Sequence, residues 1–242
     1  MKKKGIIILA IVFTTIILLF IGLFLYLFLN GFSGLHLKNY YTDGQIKVAC
    51  VGDSITYGHG VSNWNKNNYP AVLQKLLGDE YNVQNFGVSG ATAQKTGDQP
   101  YVDTESYKPS IEYNADILIF MLGSNDSKPY NWIDRESFKK EYIELLNTYL
   151  SNNKTLKVYL CTVSEVFYDD KNQTSGPSTF DIQGDKADII NDVIKEVAVE
   201  QGYALIDIYS LTKDHSEWFK DNIHPNANGA KSIAEEMYNN VK

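Results

Sequence analysis

Four places in this 242-residue chain carry side chains whose types and spacing could run one reaction. The first is Val48-Ala49-Cys50-Val51-Gly52-Asp53-Ser54-Ile55-Thr56, an apolar, β-branched run that ends abruptly in a small-residue turn bearing a serine. A side chain just past the carboxyl end of a strand in an open α/β sheet faces the crevice where ligands bind. Ser54 therefore stands where a nucleophile is needed. A serine hydroxyl attacks poorly until a base takes its proton, and that base needs a third group to fix its tautomer. Asp221-Asn222-Ile223-His224-Pro225 offers both, a carboxylate three residues before an imidazole, with Pro225 restricting the backbone of His224. Negative charge that develops on a carbonyl oxygen also needs donors. Gly87-Val88-Ser89-Gly90 and Gly123-Ser124-Asn125-Asp126 follow two other apolar runs. Glycine lets backbone N–H groups approach a ligand closely, and Asn125 brings amide hydrogens. Each fragment alone also fits an ordinary turn or helix cap. Together they describe acyl transfer through an activated serine.

The elements that must position these residues are legible as apolar runs alternating with helical patterns. Strands are expected over 47–52, 81–86, 116–122, 157–163 and 204–208, and helices over 69–77, 135–150, 186–200 and 226–238. That alternation is the mark of βαβ units around a parallel sheet. Residues 116–122, Asp-Ile-Leu-Ile-Phe-Met-Leu, are almost continuously apolar, as a strand covered on both faces should be. The expected fold class is α/β, a three-layer α/β/α sandwich with about five parallel strands, occupying residues 46–242. Two stretches, 98–110 and 167–184, read as long loops that would shape access to the site.

The first thirty residues form a separate problem. Three lysines at positions 2–4 precede residues 5–29, which carry no charge. A helix needs about 20 apolar residues to cross the hydrocarbon core, whereas the core of a cleavable signal spans roughly 7–15. Residues 1–30 are therefore expected to be a transmembrane anchor with a cytoplasmic N-terminus. An over-long signal peptide is the alternative, and either one exports the rest. Residues 31–45 would be a stalk. The formal net charge of −7 becomes more acidic once the three lysines are set aside, which argues against nucleic acid as a partner. Cys50 and Cys161 lie in separate strand-like runs and are expected to be free and buried. His36, His59, His215 and His224 show no metal-ligand spacing, so neither metal nor cofactor is expected.

With these residues in hand, the chain resembles the SGNH hydrolase superfamily, the GDSL esterases and lipases, over nearly the whole exported region. The resemblance rests on Gly52-Asp53-Ser54-Ile55-Thr56, Asn85-Phe86-Gly87-Val88-Ser89-Gly90, Gly123-Ser124-Asn125-Asp126 and Asp221-Asn222-Ile223-His224-Pro225. Ile55 stands where the family's name has leucine. The resemblance implies Ser54 as nucleophile, His224 as general base and Asp221 as its orienter. It further implies an oxyanion hole made by the Ser54 and Gly90 N–H groups and the Asn125 side chain. The stretch from Asn125 to Trp132 is similar to exported bacterial carbohydrate esterases of the superfamily, which implies an O-acetyl ester on a sugar as substrate. Asp53 and the aromatics Trp64, Tyr101, Tyr130 and Trp132 are the candidate substrate contacts, the aromatics because rings with a polar edge suit sugars. Arg135 is the single arginine, which leaves no bidentate clamp for an acidic sugar. The competing readings are a lipase or thioesterase, an acetyltransferase on cell-wall glycan, and a membrane-anchored glycan-binding protein without turnover.

Overall fold

The structure, a computed structural model, describes residues 12–24, 45–170, 173 and 175–242. Five parallel strands, β1 (Ile46–Gly52), β2 (Tyr81–Gly87), β3 (Ile117–Met121), β4 (Lys157–Cys161) and β5 (Ala204–Ile206), form one sheet in the order β2-β1-β3-β4-β5. After β1 the chain pairs β2 on one side and then crosses to β3 on the other. Such a reversal opens a crevice at the carboxyl ends of the strands. In register, Gly52 pairs with both Gly87 and Met121. The three strands therefore end level, and the residues that follow them emerge at one edge.

Strand side chains alternate between two cores, as a period of two requires. Ala49, Val51, Leu118 and Phe120 join the core under α5 (Arg135–Asn152) and α6 (Gly184–Gln201). Val48, Cys50, Ile117, Ile119 and Met121 join the opposite core under α3 (Tyr69–Leu77) and α8 (Ala227–Val241). Shorter helices α1 (Ser54–Tyr57), α2 (Trp64–Asn67), α4 (Tyr107–Glu112) and α7 (Ile208–Thr212) fill the connections. The long helices start at polar caps. Asn68 accepts from the Ala71 N–H at 2.9 Å, Asp134 from Ser137 at 2.7 Å, and Asn226 from Asn228 at 2.9 Å. Replacing such a cap by alanine typically costs about 1 kcal/mol.

The structure departs from the sequence reading in two connections. The stretch 98–110, expected to be a loop, contains a 3₁₀ turn at Tyr101–Asp103 and most of α4. A six-residue helix is too short to display an apolar period. β5 ends at Ile206, because Asp207 turns to cap α7, accepting from the Ser210 N–H at 3.1 Å. Cys50 and Cys161 are free and buried, with β3 between their strands.

Residues 12–24 are helical and keep large apolar side chains such as Leu19 and Phe20 exposed. Among the described residues no helix is long and apolar enough to cross a membrane. The N-terminal lysines, both ends of the apolar run and the expected stalk, apart from Gln45, lie outside the described residues.

Candidate active site

The site begins with a tight turn from β1 into α1. Asp53 caps this helix, its Oδ1 accepting the Ile55 N–H at 3.0 Å, and Ser54 is the first helical residue. The helix sits directly on the ends of β1 and β2. A Cβ on Gly52 would lie 2.0 Å from Thr56 Oγ1, and one on Gly87 would lie 2.2 Å from the Tyr57 nitrogen. Both positions exclude any side chain. Asn85 fastens the helix from beneath, its amide donating to the Thr56 carbonyl at 2.8 Å. Burial pushes the Asp53 carboxyl up, although the Ile55 N–H and Ser124 bond to it.

The loop before α8 brings the acid and the imidazole to Ser54. His224 Nε2 lies 2.9 Å from Ser54 Oγ, and His224 Nδ1 lies 2.7 Å from Asp221 Oδ2. The other Asp221 oxygen accepts the His224 N–H at 2.7 Å and the Ile223 N–H at 3.2 Å, so the carboxylate is held from both sides. Partial burial pushes the Asp221 carboxyl up, but the hydrogen bond and positive charge of His224 outweigh it and hold the group down at about 2. Asp221 is thus an anion across the working pH range. His59 tilts against His224 with ring centroids 4.3 Å apart. One ring nitrogen of His59, one of His224 and one Asp221 oxygen lie within 4.8 Å of one another, a juxtaposition that the sequence spacing gave no sign of. Both nitrogens of His224 are already engaged by Asp221 and Ser54, which is the arrangement of a proton relay.

Ser54, Gly90 and Asn125 line one cavity of about 150 Å³. Gly90 has φ +86°, a conformation that suits glycine. The Ser54 N–H opens its helix and has no intrahelical acceptor. The Asn125 amide donates to the Ala91 carbonyl at 3.1 Å and carries a second hydrogen. Asp126 ties the two donor loops together, accepting the Ala93 and Gln94 N–H groups at 2.9 and 2.8 Å. Burial pushes its carboxyl up to about 7 against the pull of those two bonds.

Four apolar side chains close the cavity, Ile55 of the serine motif and Phe180, Ile182 and Ile223, which lie outside the catalytic roles expected from the sequence. Lys128 lines the cavity too. Phe180 stands edge-on to His224, with ring centroids 5.1 Å apart. It comes from the 167–184 connection, which is tied at one end by Phe167 N–H donating to the Asn222 carbonyl and at the other by Gln183 N–H donating to Ser127 Oγ. Phe180 and Asp181 both have φ +60°, a strained conformation that a side chain tolerates only where its surroundings impose it. The unusual length of that connection was the one signal in the sequence.

The candidate substrate contacts fare differently. Trp64 is 1% exposed and stacks on Tyr57, because α2 folds back over α1. Tyr101 is wholly buried, with its hydroxyl donating to the Phe86 carbonyl at 2.8 Å. Asp53 is buried beneath the helix it caps, and Trp132 packs against Phe138 at the core. None of these four lines the cavity. Tyr130 is exposed, its ring 5.8 Å from the Lys128 ammonium, and it too stays outside. An amphipathic aromatic on a connection fills a core as readily as a binding site, and burial decided for the core.

Residues 50–231 match the model of the GDSL-like Lipase/Acylhydrolase family. The chain is 34% identical over 211 residues to an acetylxylan esterase of Xylanibacter ruminicola, an alignment covering 80% of this chain and 42% of that protein. It thus spans less than half the length of that relative. Among solved structures, the acetyl xylan esterase AlAXEase superposes with a TM-score of 0.65 at 22% identity, covering 81% of this chain and all of the other. A carbohydrate acetylesterase family member from Sinorhizobium meliloti superposes with a TM-score of 0.63 at 18% identity, covering 81% of this chain and 97% of the other. These likenesses reach the fold. The chain belongs to the GDSL-like lipase/acylhydrolase, or SGNH, family of ester hydrolases.

Proposed function

We propose that this chain is a serine esterase that removes O-acetyl groups from a carbohydrate, using Ser54, His224 and Asp221. The observation that carries the reading is the unbroken relay from Asp221 through His224 to Ser54, at 2.7 and 2.9 Å, beside a cavity of about 150 Å³ walled by isoleucines and Phe180. Ser54 Oγ attacks the ester carbonyl carbon while His224 Nε2 takes its proton, and Asp221 stabilises the imidazolium through Nδ1–H. The Ser54 and Gly90 N–H groups and the Asn125 amide receive the oxyanion. His224 then gives the proton to the departing sugar oxygen, leaving the acyl group on Ser54. Water, deprotonated by His224, completes the cycle.

The size of the cavity supports acetyl over a long acyl chain, which needs an extended apolar groove. The name of the Xylanibacter relative and those of the two structural neighbours support a sugar as the alcohol. The test is acetate release from acetylated glycans, with Ser54→Ala as the blank and a serine-reactive phosphonate as label. Acetate release and labelling that both vanish in the variant support the reading. Labelling that persists moves the nucleophile elsewhere.

The catalytic domain is proposed to work outside the cell, tethered through the N-terminal apolar segment. The lysines at 2–4 and the uncharged run over 5–29 support this. Activity that stays in the soluble fraction of lysed cells would remove the tether.

A further inference from the structure

A second cavity, of about 670 Å³, opens beside the first and includes Tyr57, Ser89, Asp98, Gln99, Asp103 and Glu105 in its lining. Its volume falls in the range of about 300–1,000 Å³ typical of small-molecule sites. Ser89 lines both cavities, so the two share a wall. Tyr57 stands on the same short helix as Ser54. The Gln99 side-chain oxygen overhangs the Gly90 backbone, 2.6 Å from where a Cβ would stand. The larger cavity therefore starts at the loop proposed to hold the oxyanion.

The smaller cavity, at about 150 Å³, has room for a short acyl group but not for that group and a sugar ring together. The alcohol half of the ester must project out of it, and the adjoining space is this groove. The Ser89 hydroxyl, on the shared wall, is closed to solvent and has no hydrogen-bond partner. A change of its χ1 rotamer would turn this unpaired hydroxyl toward a ligand hydroxyl. Burial and the nearby Glu105 carboxylate push the Tyr57 hydroxyl up to about 12, so it remains a neutral donor. Among the described residues, three carboxylates line the groove and no Lys or Arg does. The adjacent cation, Lys128, faces Asp98 at 3.8 Å. Carboxylates accept hydrogen bonds from sugar hydroxyls, whereas a second anion beside them is repelled.

We infer that the groove along Ser89, Asp103 and Glu105 holds the sugar part of an uncharged acetylated glycan and rejects glycans carrying carboxylates. This rests on the esterase reading above and specifies its substrate. The test measures kcat/KM of the full chain on acetylated xylo-oligosaccharides and on acetylated oligogalacturonides. Each value is normalised to turnover of p-nitrophenyl acetate by the same protein, so that damage to the fold or the relay cancels. The wild type should favour the uncharged glycan by about tenfold or more at low salt. The pair Asp103→Asn and Glu105→Gln should cut that preference at least about fivefold, and salt near 0.5 M should narrow it in the wild type, as screening requires. Equal turnover of both glycans, or a preference that survives the double substitution, overturns the groove and leaves the esterase standing. Turnover of p-nitrophenyl acetate with neither glycan overturns the groove and the carbohydrate reading together.

Discussion

The two cavities that meet at Ser89 are built on opposite principles. The smaller one is walled by Ile55, Phe180, Ile182 and Ile223 and holds about 150 Å³; the larger is open, holds about 670 Å³ and presents Asp98, Asp103 and Glu105. An apolar wall discriminates by volume, because an extra methylene either fits or collides. Carboxylates discriminate by hydrogen bonding and charge, and tolerate variation in shape. Under the proposed function, the contrast divides one ester between two kinds of recognition, the acyl half by size and the alcohol half by polarity. It also explains why the relay lies where it does. Ser54 and His224 line the small cavity beside its apolar walls, and the proposed oxyanion donors Gly90 and Asn125 line it with them.

The largest expected effect breaks the division altogether. Ser54→Ala should lower kcat on p-nitrophenyl acetate by at least about 10⁴-fold while the thermal unfolding midpoint barely changes. Residual activity above that level would show that the small cavity is not where acyl transfer occurs. Asn125→Ala should lower kcat by about 10²–10³-fold with little change in KM, since its amide meets the oxyanion only in the transition state. An unaltered kcat would take Asn125 out of the donor set. Phe180→Ala tests the size filter directly. It should raise the ratio of butyryl to acetyl ester turnover about tenfold, a methylene in an apolar pocket being worth about 1–3 kcal/mol. An unchanged ratio would leave the acyl limit to the isoleucines.

The smallest effect concerns Asp126, which joins the Gly90 and Asn125 loops. Its carboxyl, pushed up to about 7 in the fold, lies well above the ordinary unfolded value of about 3.9. The folded state therefore holds the proton that the unfolded state releases, and this contribution to stability is lost as pH rises through 7. Between pH 6 and pH 8 it is on the order of 1 kcal/mol. Denaturant unfolding at the two pH values should register that loss in the wild type and not in Asp126→Asn. Equal pH dependence in both proteins would assign it to another group.

How far the sequence could be read depended on whether a residue's neighbours were local. The strands β1 to β4 and the long helices α3, α5, α6 and α8 announced themselves through apolar runs and helical patterns. The helix α4 did not, because six residues complete too few turns to leave a pattern. In the site, Asp221 and His224 are three residues apart, and Gly90 and Asn125 directly follow strands, so chain geometry alone suggested their meeting. Trp64 and Tyr101 looked like sugar platforms and are buried, since an aromatic on a connection has no local mark that separates a packed ring from an exposed one. His59 and Phe180 reach His224 from distant parts of the chain, and nothing beside them in sequence says so.

The sequence by itself determined the parallel α/β class, the strand ends that carry Ser54, Gly90 and Asn125, and the pairing of Asp221 with His224. Each of these follows from side-chain period or from spacings of a few residues. Only the tertiary structure decided that Gly52 and Gly87 end level under the Ser54 helix, that the relay closes across 170 residues at 2.9 Å, and that Phe180 and Ser89 partition the space around it. Those facts depend on how long connections fold back over the sheet edge. Their packing is settled by the burial of many distant side chains together, which no local pattern encodes.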